Sequence, residues 1–357
     1  MRAAQFIDGQ FTVTDVPEPP ATGPGQLRIK VAACGICGSD LSMAKDPCRF
    51  VSVAAGAGFP FAVFDATRPV VLGHEWAGVV VETGAGVEDF KVDDRVTGLG
   101  ITTEQDGMPT IIGYSNDYHG AFGEYIVVDA FWVRHVPDGL SLEHASLAEP
   151  LHVGEMHMQQ SGLTPADTAL VIGCGSIGLG TILAAKAAGA HLVIASEPSP
   201  KRRELAAKTG ADIVVDPNEQ DPIEVYNDLL GSGRTGGGLL IAYECSGRVG
   251  TLNTLTHTLP WGSRIQVVAS PFAEETIIPV VAQMRQIAIN FGHGPYEQAY
   301  EKVLARLAAG EIDAEALITG RTGLDGIADA FTALRNPDEH VKILVLPSEI
   351  VRTVTDA

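Results

Sequence analysis

Two cysteines three positions apart, Cys34 and Cys37 in VAACGICGSDLSM, lead the side chains here that could do chemistry. Such a pair can be a redox dithiol, half of a zinc cage, or one working thiolate beside an idle neighbour. No second CxxC completes a cage, and no thioredoxin-like βαβ pattern surrounds the pair. Further along, VVLGHEWAGVV places His74 and Glu75 between two apolar runs, and LAEPLHVG carries Glu149. Thiolate, imidazole and carboxylate are the S, N and O donors of a catalytic zinc site, which keeps one position open for water or an alcohol. Each has a plainer use when taken alone; an isolated histidine is more often a satisfied structural residue.

A second constellation is ALVIGCGSIGLGTILAAKAAGA, in which Gly173, Gly175 and Gly178 form GxGxxG between a strand-like and a helix-like run. The first glycine makes a tight turn, the second lets backbone approach a pyrophosphate, and the third lets the helix pack closely, with its N-terminus facing negative charge. Ser176 and Ile177 complete the loop. The next run, HLVIASE, ends at Glu197, about 20 residues on, where a carboxylate accepts hydrogen bonds from the adenosine ribose hydroxyls. Such an acid repels a 2'-phosphate, so NAD is expected ahead of NADP. The plainer reading is a solvated acid opening the EPSPKRRE turn. Arg202 and Arg203 stand close enough in sequence to soften the preference.

These residues need elements to position them. Residues 1 to about 150 carry short β-rich runs such as QLRIKVAA, WAGVVVETG and EYIVVDAFWVRHV, punctuated by Pro and Gly. From about 168 the pattern changes to apolar runs (ALVIGCG, HLVIASE, DIVVD, LLIAYECS, RIQVVAS, IAINFG) with helix-length spacers between them, which predicts a doubly wound parallel sheet. After about 293 come an amphipathic helix, a shorter helical stretch and the strand HVKILVLP, too little for a third domain and therefore expected to return to the first.

At 357 residues the chain suits two domains. A net charge of -20 argues against a nucleic-acid surface. No apolar stretch approaches the length of a membrane span, and MRAAQFIDGQF shows no export or organelle signal, so a cytoplasmic protein is expected. Five cysteines at irregular spacing do not form a disulfide framework.

CGICGSD, GHEWAGVV, GVEDFKVDDRV, GAFGEYIVV, AEPLHVG and GCGSIGLG, met in that order, resemble the zinc-dependent medium-chain dehydrogenases in their alcohol and polyol branch, over essentially the whole chain. The resemblance implies an α/β protein: a GroES-like, mostly β catalytic domain (1–152 and 294–357) and a Rossmann NAD-binding domain (153–293). It matches Cys37 and His74 to zinc ligands. Glu149 falls where the polyol branch has Glu, and Glu75 matches an acid beside the metal, so which of the two binds directly stays open. One thiolate and one carboxylate would neutralise Zn²⁺ while the histidine stays neutral. Ser39 matches the hydroxyl that takes the alcohol proton into a relay. Asp40 matches an acid on the zinc histidine's other ring nitrogen, or serves as a helix cap. Lys342 matches a basic residue near the pyrophosphate and Arg202 one near the adenosine ribose; both could instead be solvated charges. The implied reaction passes hydride between a secondary alcohol or polyol, or its ketone, and the nicotinamide, with zinc as Lewis acid. A homodimer or homotetramer formed through the strand near QIAINFG is implied as well.

The chain departs from that pattern in three places. TGLGITTEQDGMPTIIGYSNDYHGAFGEY lacks the four cysteines of a structural zinc lobe, so one catalytic zinc and no structural one is expected. Ser42 stands where a relay histidine often does, which leaves the proton's destination open among water, Ser42, His119 and His152. The segment between Ser42 and His74 is long, and Phe50, Phe61 and Phe64 in it either roof an apolar pocket or pack internally; Trp76, Tyr118 and Phe122 share that ambiguity. Two rival readings remain: a zinc-free NADPH-dependent enone or quinone reductase of the same fold, and a catalytically inactive dinucleotide-binding sensor.

Overall fold

The computed structural model describes residues 1–58, 62, 64–292, 294, 297–349 and 354–356. Two compact units result: Met1–Glu149 with Leu304–Asn336 and Lys342–Ala357, and Pro150–Val303 with Pro337–Val341.

The first unit is organised by the strand Gln26–Gly35, in which Leu27, Ile29, Val31 and Ala33 are fully buried. Alternation of this kind supplies one apolar face to a sheet. The strand pairs antiparallel with Glu75–Thr83, with Tyr125–Asp129 and with Ile343–Val345. The register places Gly35 opposite Glu75 and opposite Leu344, and Cys34 opposite Trp76 and Val345. The strand Ile343–Val345, late in the chain, is thus paired directly with the strand that leads to Cys37. The cysteine-free stretch after Arg95 forms a small hairpin, Ile101–Thr103 with Pro109–Ile111.

Beyond Gly35 the chain turns into the helix Gly38–Lys45. A second helix follows, Pro47–Gly56, started by Asp46, whose side chain accepts from Arg49 N at 3.0 Å, and by Pro47 in the first turn. It buries Phe50 and Ala54. Phe64, Trp76, Tyr118 and Phe122 are buried too, and Phe122 meets Phe331 edge-on at 6.0 Å, so these rings pack internally. Phe61 lies outside the described residues.

In the second unit each of the six apolar runs becomes a strand. The parallel sheet runs in the order Ile213–Val215, Leu192–Ser196, Thr168–Ile172, Leu240–Glu244, Arg264–Val267, Ala288–Phe291. This is the doubly wound arrangement, whose strand order reverses beside Thr168–Ile172, and ligands bind at the carboxyl ends of the strands flanking that reversal. The glycine-rich loop follows Thr168–Ile172 directly. Among the described residues no helix is long and apolar enough to cross a membrane.

Candidate active site and nucleotide loop

The sheet register of the first unit brings three donors together. Cys37 follows the strand Gln26–Gly35 by two residues, and His74 immediately precedes the paired strand that Glu75 opens. One ligand atom from each of Cys37, His74 and Glu75 lies within 4.8 Å of the others. Gly35 is what admits Glu75: a Cβ there would stand 2.0 Å from Glu75 Oε2. Cys34, one residue earlier, is fully buried, and burial holds its thiol well above the ordinary value. An inert, small apolar side chain results.

Each donor is held from behind. Lys342 Nζ donates to Glu75 Oε2 at 2.5 Å and to the Ile36 carbonyl at 2.9 Å, with both charged side chains about 1% exposed. This differs from the expectation for Lys342: its ammonium is committed to the donor cluster, not to a pyrophosphate. The strand Ile343–Val345 pairs with Gly35, and that pairing carries the preceding residue, Lys342, there. Asp40 caps the helix and faces the histidine. Its Oδ2 accepts from Cys37 N at 2.9 Å, closing a capping box on the helix Gly38–Lys45, while Oδ1 faces His74 Nδ1 at 3.6 Å.

Buried Asp40 Oδ1, His74 Nδ1 and Glu75 Oε1 have no hydrogen-bond partner. Unsatisfied buried polar atoms are costly; Asp40 Oδ1 and His74 Nδ1 face each other, and a cation among the S, N and O donors would satisfy Glu75 Oε1. The residues fit a zinc ion. Burial opposes a charge on His74, but Asp40 and Cys37 outweigh it and hold the pKa well above the ordinary histidine value. A metal must therefore displace a proton there. Glu149, in the first turn of the helix Ala148–Ser161, has its carboxyl pushed up to about 7 by burial, opposed by the charge of His74 and reinforced by Glu75.

Ser39 Oγ accepts a hydrogen bond from Tyr114 Oη at 2.8 Å. Tyr114 is buried, its ring 5.4 Å from that of His74 and 4.9 Å from Phe50. Tyr114 has no motif of its own and was not among the expected site residues; it comes to Ser39 through tertiary packing. Ser42 donates to the Gly38 carbonyl at 3.1 Å, so its hydrogen is spent within its own helix. Burial lowers the pKa of His119.

In the second unit, Gly173 has φ +88°, and a Cβ there would meet Ser246 Cα at 2.8 Å. At Gly178 a Cβ would fall 1.9 Å from the Gly173 carbonyl oxygen, whereas at Gly175 the nearest atom is Arg202 Nη1 at 3.9 Å. The loop is therefore closed where helix and turn pack, and open at Gly175. The helix Ser176–Ala187, which contains Ser176, Ile177 and Gly178, starts at Gly175 without a side-chain cap, so its first N–H groups are available to an anion. Glu197 accepts from Cys174 N at 2.7 Å and from Ser199 N at 2.9 Å, each through a different oxygen. Each of those oxygens keeps further acceptor capacity. Arg203 pairs with Asp216 at 2.7 Å, while buried Arg202 Nε has no partner. Arg202 is thus the cation placed beside the loop.

The model of the alcohol dehydrogenase GroES-like domain matches residues 23–138, and that of the zinc-binding dehydrogenases residues 176–309. The chain is 35% identical to (R,R)-butanediol dehydrogenase of Bacillus subtilis (strain 168), over 98% of this chain and all of that protein. The crystal structure of 2R,3R-butanediol dehydrogenase from Bacillus subtilis superposes with a TM-score of 0.81 at 33% identity, covering 97% of this chain and 99% of that one. A Sinorhizobium meliloti 1021 protein solved with NADP bound has a TM-score of 0.78 at 29% identity, covering 97% and 99%.

Replacing Lys342 by Met leaves the Glu75 carboxylate buried without its partner. A loss of about 3–5 kcal/mol in unfolding free energy is expected by denaturant titration, and an unchanged midpoint would contradict the pairing. Glu149 sets a pH dependence in the metal-free protein. Its folded pKa of about 7 exceeds the ordinary 4.5, so its contribution to stability is full below 4.5 and is lost as pH rises through about 7. Thermal melts of Glu149→Gln across that range should lack this decline.

Proposed function

The chain belongs to the zinc-dependent medium-chain dehydrogenases, and on that premise we propose that it oxidises a secondary alcohol or polyol with NAD, reversibly, using one zinc ion held by Cys37, His74 and Glu75. The observation that carries this reading is the convergence of those three donors within 4.8 Å, with Glu75 Oε1 buried and unsatisfied. Glu75, as a member of that group, is taken as the carboxylate ligand; Glu149 is the nearby acid that a proton can occupy near neutral pH. When bound, zinc supplies Lewis-acid polarisation of the substrate oxygen.

The chain's own residues do the rest. Asp40 orients the His74 ring, Lys342 compensates the charge of Glu75, and Ser39 supplies a hydroxyl that hydrogen-bonds the substrate oxygen, the alcohol's proton leaving to water. The uncapped N-terminus of the helix Ser176–Ala187 receives the pyrophosphate, and Glu197 accepts from the ribose hydroxyls. The carboxylate favours NAD, since a 2'-phosphate would be repelled there, and Arg202 is the residue that could offset this. We also infer a homo-oligomer through the edge strand Ala288–Phe291, where Phe291 is 68% exposed.

Cys37→Ser is expected to lose zinc and turnover of 2,3-butanediol together, while Cys34→Ala retains both. Metal content and nicotinamide absorbance read the two effects. Butanediol turnover persisting in zinc-free protein would overturn the metal assignment, and NADPH-dependent reduction of an enone by that same protein would instead support the metal-independent reductase reading. Glu197→Ala should narrow the ratio of kcat/KM for NAD over NADP by about tenfold or more, the scale of one charged hydrogen-bonding group; an unchanged ratio refutes the cofactor assignment.

A further inference from the structure

The inserted helix Pro47–Gly56 has no role in the reading given so far, and it ends a chain of contacts that leads to the reacting centre. Phe50 is 2% exposed and stacks obliquely on Tyr114 at 4.9 Å. Tyr114, 4% exposed, also packs on His74 at 5.4 Å, and its hydroxyl reaches Ser39 Oγ at 2.8 Å. The ring is thus clamped between the inserted helix and a zinc donor, with its one polar atom spent on Ser39.

A phenol is a stronger hydrogen-bond donor than an alkyl alcohol, so the natural sense of this bond is from Tyr114 to Ser39. A serine hydroxyl has one hydrogen and two acceptor sites. With one acceptor site filled by Tyr114, and no acceptor among the described residues for its own hydrogen, Ser39 is left as a donor aimed elsewhere. We propose that Tyr114, seated by Phe50, is a positioning residue that fixes the Ser39 hydroxyl as a hydrogen-bond donor toward the substrate oxygen. The inserted helix is the buttress that holds Tyr114 in place, and Ser42, bonded to Gly38, takes no part.

This inference rests on the dehydrogenase reading, and its test separates the two. Tyr114→Phe keeps the ring and removes the hydroxyl. With 2,3-butanediol and NAD, it is expected to lower kcat by about three- to tenfold, the worth of one neutral hydrogen bond, with KM, zinc content and melting midpoint little changed. Ser39→Ala should abolish the effect, the double variant being no slower than Ser39→Ala alone, and Ser39→Thr should restore it. Phe50→Leu should slow the wild-type background and leave Tyr114→Phe unaffected. A merely structural Tyr114 would lower the melting midpoint and leave kcat and the coupling to Ser39 at their starting values. The metal-free protein offers a second readout: the tyrosine doublet in the Raman difference spectrum of wild type minus Tyr114→Phe should be of the donor type and should shift in Ser39→Ala. An acceptor-type doublet, or one unmoved by Ser39→Ala, overturns the inference even if the wild type turns over no alcohol; that last outcome alone overturns the dehydrogenase reading.

Discussion

The register between Gln26–Gly35 and Glu75–Thr83 is the constraint on which the site depends. With Gly35 facing Glu75, the ends of two antiparallel strands deliver Cys37 and His74 to one place. A slip of one residue would turn every side chain to the opposite face, sending Glu75 away and bringing Trp76 in its stead. The register is defended by volume as well as by hydrogen bonds: Gly35 leaves the space that the Glu75 carboxylate fills, and Trp76, fully buried, occupies its own side of the sheet.

A buried carboxylate in such a sheet needs a cation, and Lys342 provides it. Exchange of either charge for a neutral group would leave the other stranded in a region with little water, where the imbalance is far more costly than the net worth of the intact pair. The fold thus places a lysine behind one donor and a carboxylate, that of Asp40, behind another.

Much of this was readable from residues in order. The six apolar runs of the second unit, the loop Gly173–Gly178 and the donors Cys37, His74 and Glu75 all sit at transitions between runs, where local pattern is informative. Lys342 was readable in part: a single lysine inside HVKILVLP is a charge in a strand-like run, and such a charge, once buried, requires a partner. Which partner it takes depends on a strand pairing that no local pattern encodes. Tyr114 left no trace, since its meeting with Ser39 requires the segment after the hairpin Ile101–Ile111 to pack beside the helix Gly38–Lys45. Asp40 shows a different limit: helix capping and support of His74 looked like alternatives along the sequence, and the carboxylate caps the helix through Oδ2 while turning Oδ1 toward His74 Nδ1.

Lys342 and Glu75 lie 267 positions apart. During synthesis, which proceeds from the N-terminus at about 5–20 residues per second, Cys37, His74 and Glu75 all emerge long before the lysine that completes their surroundings. For much of translation the nascent chain holds a thiol, an imidazole and a carboxylate whose balancing charge has not yet been made. The surroundings of the donor group are therefore completed only after 267 further residues have been made, and a chain released before the strand Ile343–Val345 would lack the completed site even with every donor already present.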